Sequence, residues 1–215
     1  MFPQALQQLI ELFSKLPGVG PRQATRMAFF VLREPNGYAK QLKDAIETVR
    51  TKVGWCAQCF RSMDKNGAEA MCDICKNQNR RPEIVCVVEK EVDLTNIEKI
   101  KLFQGNYHVL GGTLSLLDAG APDRLHIREL YLRMEKLAGV DGAEVIIATS
   151  STSEGDSTAL YIERTLLPLA KTPPGLKISR LGRGLSMGAE VEYADQTTLE
   201  NAIKNRTSLS DENTK

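Results

Sequence analysis

Cys56-Ala57-Gln58-Cys59 and Cys72-Asp73-Ile74-Cys75 are two Cys-x-x-Cys pairs separated by twelve residues. That spacing suits one tetrahedral zinc site. Zinc is borderline-soft and takes thiolates at about 2.3 Å, and each pair turns tightly enough to aim both sulfurs at one ion. Four sulfur ligands leave no open coordination position, so Cys56, Cys59, Cys72 and Cys75 would hold a structural zinc, one per chain, and not a catalytic one. Residues 60–71 between the pairs are polar, carry a turn signal at Asp64-Lys65-Asn66-Gly67, and hold too little apolar material for a core. Bound metal would supply the missing folding free energy, on the order of 10 kcal/mol. Two disulfides are the alternative reading. The start Met1-Phe2-Pro3-Gln4 has neither the basic nor the apolar region of a signal peptide, so nothing points to an oxidising compartment. The fifth cysteine, Cys86, lies in the apolar run 84–88 and reads as a small core residue. Trp55 beside the first pair reads as packing on the cysteine module, with base stacking as the alternative.

A second stretch has the chemistry to hold phosphate. Leu16-Pro17-Gly18-Val19-Gly20-Pro21 separates two amphipathic helical segments, one over 5–14 with Leu6, Leu9, Ile10 and Phe13 on one face, the next running to about Arg33. Gly18 and Gly20 let the backbone approach a phosphate closely. The free amides opening the second helix, with its dipole, favour an anion. Arg22 and Arg26 are four apart and share a helix face, so both can flank one strand without reading its sequence. Ala24 and Ala28 are small enough for close helix approach. The pattern resembles the helix-hairpin-helix motif of DNA repair and replication proteins; an ordinary two-helix hairpin with a glycine turn is the plain alternative.

A third group is acidic. Glu89 follows the apolar run 84–88, while Glu154 and Asp156 follow the apolar run 144–148. If both runs are strands and neighbours in a parallel sheet, three carboxylates meet at the end where such sheets bind ligands, and could hold Mg²⁺ through water. This resembles the Toprim domain of topoisomerases and primases, which places one Glu after its first strand, matched by Glu89, and an Asp-x-Asp after a later one. Ser150 and Thr152 stand in the Asp positions, removing the main metal-binding pair that phosphoryl transfer needs. Glu154 and Asp156 also have a simpler role, as acids at a helix amino terminus. A Mg²⁺-dependent nuclease or strand-passage enzyme is therefore the weaker alternative to a protein without catalysis. No phosphate loop occurs, and the Gly-rich Gly182-Arg183-Gly184 does not replace one. Arg180 and Arg183 are candidates to touch DNA or a second subunit. His108 and His126 stand far from the cysteines in the chain and need no functional role.

The elements that must position these groups follow from periodicity. A third helix is predicted over 38–52, its polar face mixed in charge. The basic segment 76–82 reads as a linker with an option on phosphate contacts. Strands are predicted at 84–88, 106–110, 144–148, 177–180 and 190–193, and helices at 91–102, 126–137, 155–170 and 197–205, with a long loop over 111–124. The expected fold is α+β and multidomain. It comprises a helical domain over 1–53, a four-cysteine module over 54–81, an α/β domain with a mostly parallel sheet over 82–176, a strand/helix segment over 177–205 and a disordered polar tail over 206–215. Net charge is +1 over 215 residues, so nucleic-acid contact must come from local patches. No apolar run approaches the roughly 20 residues needed to span a bilayer. The chain reads as cytoplasmic, consistent with reduced cysteines.

The order of these motifs is more specific than any one of them. Ser14-Lys15-Leu16-Pro17-Gly18-Val19-Gly20-Pro21, the four cysteines, Val85-Cys86-Val87-Val88-Glu89, Ala148-Thr149-Ser150, Glu154-Gly155-Asp156-Ser157-Thr158-Ala159 and Ser179-Arg180-Leu181-Gly182-Arg183-Gly184-Leu185 follow one another. Over about residues 1–205 this resembles the bacterial RecR family of recombination mediators. Ser150-Ser151 replaces the usual Asn-Pro. The resemblance implies a non-enzymatic protein that works with RecO and RecF at single-strand gaps and helps load the RecA recombinase. It implies dimers and ring-like tetramers that encircle DNA near the bacterial nucleoid. By the same resemblance Lys15, Arg22 and Arg26, with Gly18 and Gly20, are DNA-contact candidates, and Glu89, Glu154 and Asp156 are candidates for partner contact.

Overall fold

The computed structural model describes residues 2–34, 37–65, 70–115 and 121–206. The Asn66-Gly67 part of the predicted turn, part of the 111–124 loop and the tail beyond Arg206 lie outside them. The chain divides into two compact units, Met1–Gly54 with Met63–Glu69, and Trp55–Ser62 with Ala70–Lys215.

The first unit is helical, with α1 (Gln4–Ser14), α2 (Pro21–Arg33) and α3 (Tyr38–Lys52). Pro21 occupies the first turn of α2, where its missing N–H costs nothing. Ala24 and Ala28 are fully buried, as their size suggests, and let α1 approach α2. Phe2 meets Phe29 edge to face at 5.4 Å, and Phe30 meets Tyr38 in the same way. Neither α1 nor α3 buries a residue completely, and Leu12, Phe30, Ile46 and Val49 remain exposed. A ribbon of β1 (Val53–Trp55) and β2 (Ser62–Asp64) follows, then the short α4 (Asp73–Lys76).

The second unit is built on a four-stranded sheet. Its strands are β3 (Arg81–Val88), β4 (Gly105–Val109), β5 (Ala143–Ala148) and β6 (Leu176–Arg180), joined by α5 (Glu91–Ile100), α6 (Ala121–Arg124), α7 (Ile127–Ala138) and α8 (Ser153–Ala170). The spatial order is β4-β3-β5-β6 and every pairing is parallel, with Val88 opposite both Val109 and Ala148. Parallel sheets are buried on both faces, which explains the apolar runs in β3 and β5. Val85, Val87, Val145 and Ile147 form one core with Leu130 and Met134 of α7 and Ile162 and Leu166 of α8. On α5, which packs against β3 and β4, Leu94 is buried.

Four expectations change. The predicted 111–124 loop is not loop throughout, because its end forms α6 (Ala121–Arg124). Residues 190–193 are not a strand: Val191–Tyr193 forms a single 3-10 turn, followed by α9 (Gln196–Lys204), capped where the Asp195 side chain accepts from Thr198 N. The basic segment is not a free linker, because Arg81 already starts β3, and Arg80 donates to Gly105 O at 2.8 Å and pairs with Glu98. Its guanidinium also lies over the Tyr107 ring, so it is committed inside the fold. Trp55 does not pack on the cysteine module; it is 71% exposed.

His108 on β4 is fully buried, and its Nε2 lies 2.7 Å from His126 O, so this nitrogen carries the proton and donates. Its Nδ1 has no partner. Burial pushes its pKa down to about 3, from an ordinary value of 6.5. The unfolded chain therefore takes up a proton that the folded chain refuses, and the contribution to stability is complete above pH 6.5 and drains away as pH falls toward 3. We expect wild-type stability, measured by urea unfolding, to fall between pH 6.5 and 5 more steeply than that of His108→Gln, by at most about 1.4 kcal/mol per pH unit. Parallel curves would contradict this account of His108.

Candidate metal centre and nucleic-acid interface

The first cysteine pair is shaped by a tight turn. Phe60 N donates to Cys56 O at 3.0 Å and Cys56 N to Arg61 O at 2.9 Å. Phe60 closes the turn at φ 62°, a left-handed conformation that costs a non-glycine residue about 1–2 kcal/mol. Its ring offsets that cost by stacking on His126, with centroids 3.9 Å apart, and by meeting His108 edge to face. The second pair opens α4, where Lys76 N donates to Cys72 O. The two turns bring the Cys56, Cys59, Cys72 and Cys75 sulfurs within 4.8 Å of one another. All five cysteines are free thiols, so the disulfide alternative does not apply.

The donor set fits a soft divalent ion. A tetrahedral centre with bonds of about 2.3 Å sets its sulfurs about 3.8 Å apart; Cys59 and Cys72 Sγ are 3.6 Å apart. Cys72 N donates to Cys56 Sγ at 3.3 Å. Cys86, by contrast, sits in β3 with its thiol pushed up to about 12 by burial, as a core residue should.

The cysteine module is fastened to the sheet. Val109 N on β4 donates to Cys59 O at 2.9 Å. Glu91, at the start of α5, accepts from Ser62 N and Ser62 Oγ and lies 3.7 Å from Arg61. Arg133 of α7 donates to both Gln58 O and Tyr107 O. His126, Phe60, Glu91 and Arg133 were not visible as site residues in the sequence. The pairs that join them are 18 to 75 residues apart, and none belongs to a short motif.

The three acids end up in different places. β3 and β5 are indeed neighbours, but Glu89 turns inward, 7% exposed, with Oε1 accepting from Ser150 N (2.7 Å) and Ser150 Oγ (2.8 Å). Ser150 Oγ in turn meets Thr152 Oγ1 at 2.9 Å. Of the hydroxyls standing in the Asp-x-Asp positions, Ser150 thus binds Glu89 and Thr152 braces Ser150. Glu154 lies 3.5 Å from Thr113 Oγ1. Asp156 is paired with Arg183 and with Arg180, the latter at 2.6 Å, and these guanidiniums, Arg183 first, hold its carboxyl below the usual range. Among the described residues, only the four cysteines form a cluster of three or more metal-capable groups. Arg180 and Arg183, read from the sequence as free to touch DNA or a subunit, are engaged by Asp156.

In the hairpin, Gly18 has φ 77°, a turn conformation that favours glycine. Gly20 has an ordinary φ of −79° and no atom within 4 Å of where a Cβ would sit, so folding does not demand glycine there. The amides that open α2 have no side-chain cap. Lys15, Arg22 and Arg26 are exposed around them.

A helix-hairpin-helix, a four-cysteine cluster and a Toprim sheet in this order define a DNA recombination and repair protein. A RecR helix-hairpin-helix model matches residues 6–50, a Toprim domain model residues 83–182, and a RecR carboxy-terminal model residues 184–207. The chain is 42% identical to recombination protein RecR of Myxococcus xanthus, over 97% of this chain and all of that one. It is 41% identical to that of Parasynechococcus marenigrum, over 95% and 100%, and 40% identical to that of Streptomyces coelicolor, over 96% and 98%. The chain belongs to the RecR family. No helix among the described residues is long and apolar enough to cross a membrane.

Gly155 packs its α-carbon against the Glu89–Ser150 pair. A Cβ there would fall well inside contact distance of Ser150 O and 2.9 Å from Glu89 Oε1. Gly155→Ala is expected to cost about 1–3 kcal/mol of stability, measured by urea denaturation; an unchanged midpoint would mean the acid is not held as described.

Proposed function

We propose that the protein is a non-catalytic DNA-binding recombination mediator, acting with RecO and RecF at single-strand gaps to help load RecA. The observation that carries this reading is the hairpin. An uncapped α2 amino terminus, a Gly20 whose conformation needs no glycine, and exposed Lys15, Arg22 and Arg26 make a surface suited to a phosphate backbone. Absence of phosphoryl transfer is supported by the Toprim end of the sheet, where Glu89 is bound by Ser150 and Asp156 by two arginines. Glu154 is then the freest of the three for contact with a partner.

Zinc is the proposed ion at Cys56, Cys59, Cys72 and Cys75, supported by the all-sulfur donor set, and it would act structurally. Self-association into a ring is supported by an apolar groove of about 1240 Å³ among α1, α2 and α3 in the first unit, lined by Leu12, Phe13, Phe30, Leu42 and Ile46. An exposed apolar surface of this kind marks an interaction site.

Arg22→Ala with Arg26→Ala is expected to weaken DNA binding and to reduce the slope of log affinity against log salt by nearly two, because fewer counterions are released. A fluorescence-anisotropy titration over a range of salt reads both. Unchanged affinity and slope would remove the hairpin from the DNA interface.

A further inference from the structure

The metal reading leaves a buried charge to account for. Arg133 projects from α7, and its Nε and Nη2 are out of contact with solvent and have no hydrogen-bond partner. Its Nη1 donates to two carbonyls, Tyr107 O on β4 at 2.7 Å and Gln58 O at 3.2 Å, between the first two cysteines. No carboxylate pairs with it among the described residues. A guanidinium does not deprotonate in a protein, and burying one without an opposing charge is costly. The four cysteines lie within electrostatic range of it. Four thiolates around one divalent ion carry a net negative charge, which two carbonyl contacts alone do not supply.

The geometry points to Arg133 as the positioning residue that couples the metal centre to the sheet. Its charge offsets that of the four metal-bound thiolates, while Nη1 ties the cysteine turn to the edge strand. This rests on the proposed metal at the cysteine cluster. β4 is the outer strand of the sheet on that side, and all five of its residues are buried. An edge strand left uncovered is open to fraying and to mispairing. Losing the metal would therefore leave Arg133 without its counter-charge and loosen β4, and the effect would not stop at the cysteine module. Metal-site positioning residues of this kind shift metal affinity by about 10- to 100-fold.

The test uses the full-length chain. Elemental analysis first measures zinc per chain. Hydrogen exchange is then followed by mass spectrometry on the wild type before and after zinc is stripped with a chelator. Faster exchange is expected in residues 105–109 and 127–138 as well as in 56–75; a change confined to 56–75 overturns the coupling. Competition against a chromophoric chelator then compares the wild type, Arg133→Met and Arg133→Lys. The Met variant is expected to bind zinc about 10- to 100-fold more weakly, and the Lys variant, keeping the charge but losing the planar fork, to fall between. Equal zinc affinity in all three overturns the role of the charge. The exchange experiment decides the coupling even if Arg133→Met does not fold. A wild type with no zinc would refute the metal reading itself, whereas zinc bound with protection limited to 56–75 would refute only the part given to Arg133.

Discussion

Four cysteine sulfurs gathered within 4.8 Å of one another would repel as thiolates, and a cation among them, the ion proposed above, would relieve that repulsion. Much of the second unit leans on that constraint. The cysteine turns are short, hold a left-handed Phe60, and contribute little apolar surface. What fixes them in the structure is the groups they touch: Glu91 from α5, His126 at the head of α7, Arg133 within α7 and the backbone of Val109 on β4. They cover the outer strand of the sheet, so the small module and the larger sheet share one packing problem. The residues that solve it, His108 and Arg133 among them, are polar groups inside an otherwise apolar neighbourhood.

At the carboxyl ends of β3 and β5, where Val88 lies opposite Ala148, the Toprim framework is retained with hydroxyls in two of its acid positions. The register of β3 against β5 puts Glu89 beside Ser150 as the fold requires. Replacing two carboxylates by hydroxyls removes the mutual repulsion that a divalent ion would relieve. The hydroxyls instead donate to or brace the remaining acid, and Asp156 finds two guanidiniums. In this structure Glu89 and Asp156 have their partners within the chain. Asp156 thereby joins the head of α8 to the segment that follows β6.

The parts of this molecule legible in the sequence were those with local signals. Cys-x-x-Cys spacing, Pro17 and Gly18 between two amphipathic stretches, and the valine-rich run of β3 each carry their geometry in a few adjacent residues. The helices and parallel strands therefore appear where periodicity put them, with ends displaced by at most three residues. Residues 190–193 alternate like a strand, but among the described residues no strand pairs there, and a 3-10 turn forms. Arg80, in a run that looked like a basic linker, was drawn inward by Glu98 and Gly105 O. Trp55 looked like a residue packed on the cysteine module and is exposed. The same limit hid Arg133. An arginine among leucines on an amphipathic helix looks like a solvated residue until the sheet brings Tyr107 O and Gln58 O to its tip.

The central claim is a protein that holds DNA without cutting it. The most direct measurement incubates the full chain with end-labelled gapped DNA and Mg²⁺, and resolves the products on native and denaturing gels in parallel. The account predicts DNA that is retarded on the native gel and covalently intact on the denaturing one. Cleavage that depends on the protein and disappears in Glu89→Gln would contradict it, because the acids described here as bound within the chain would then be at work on a phosphodiester.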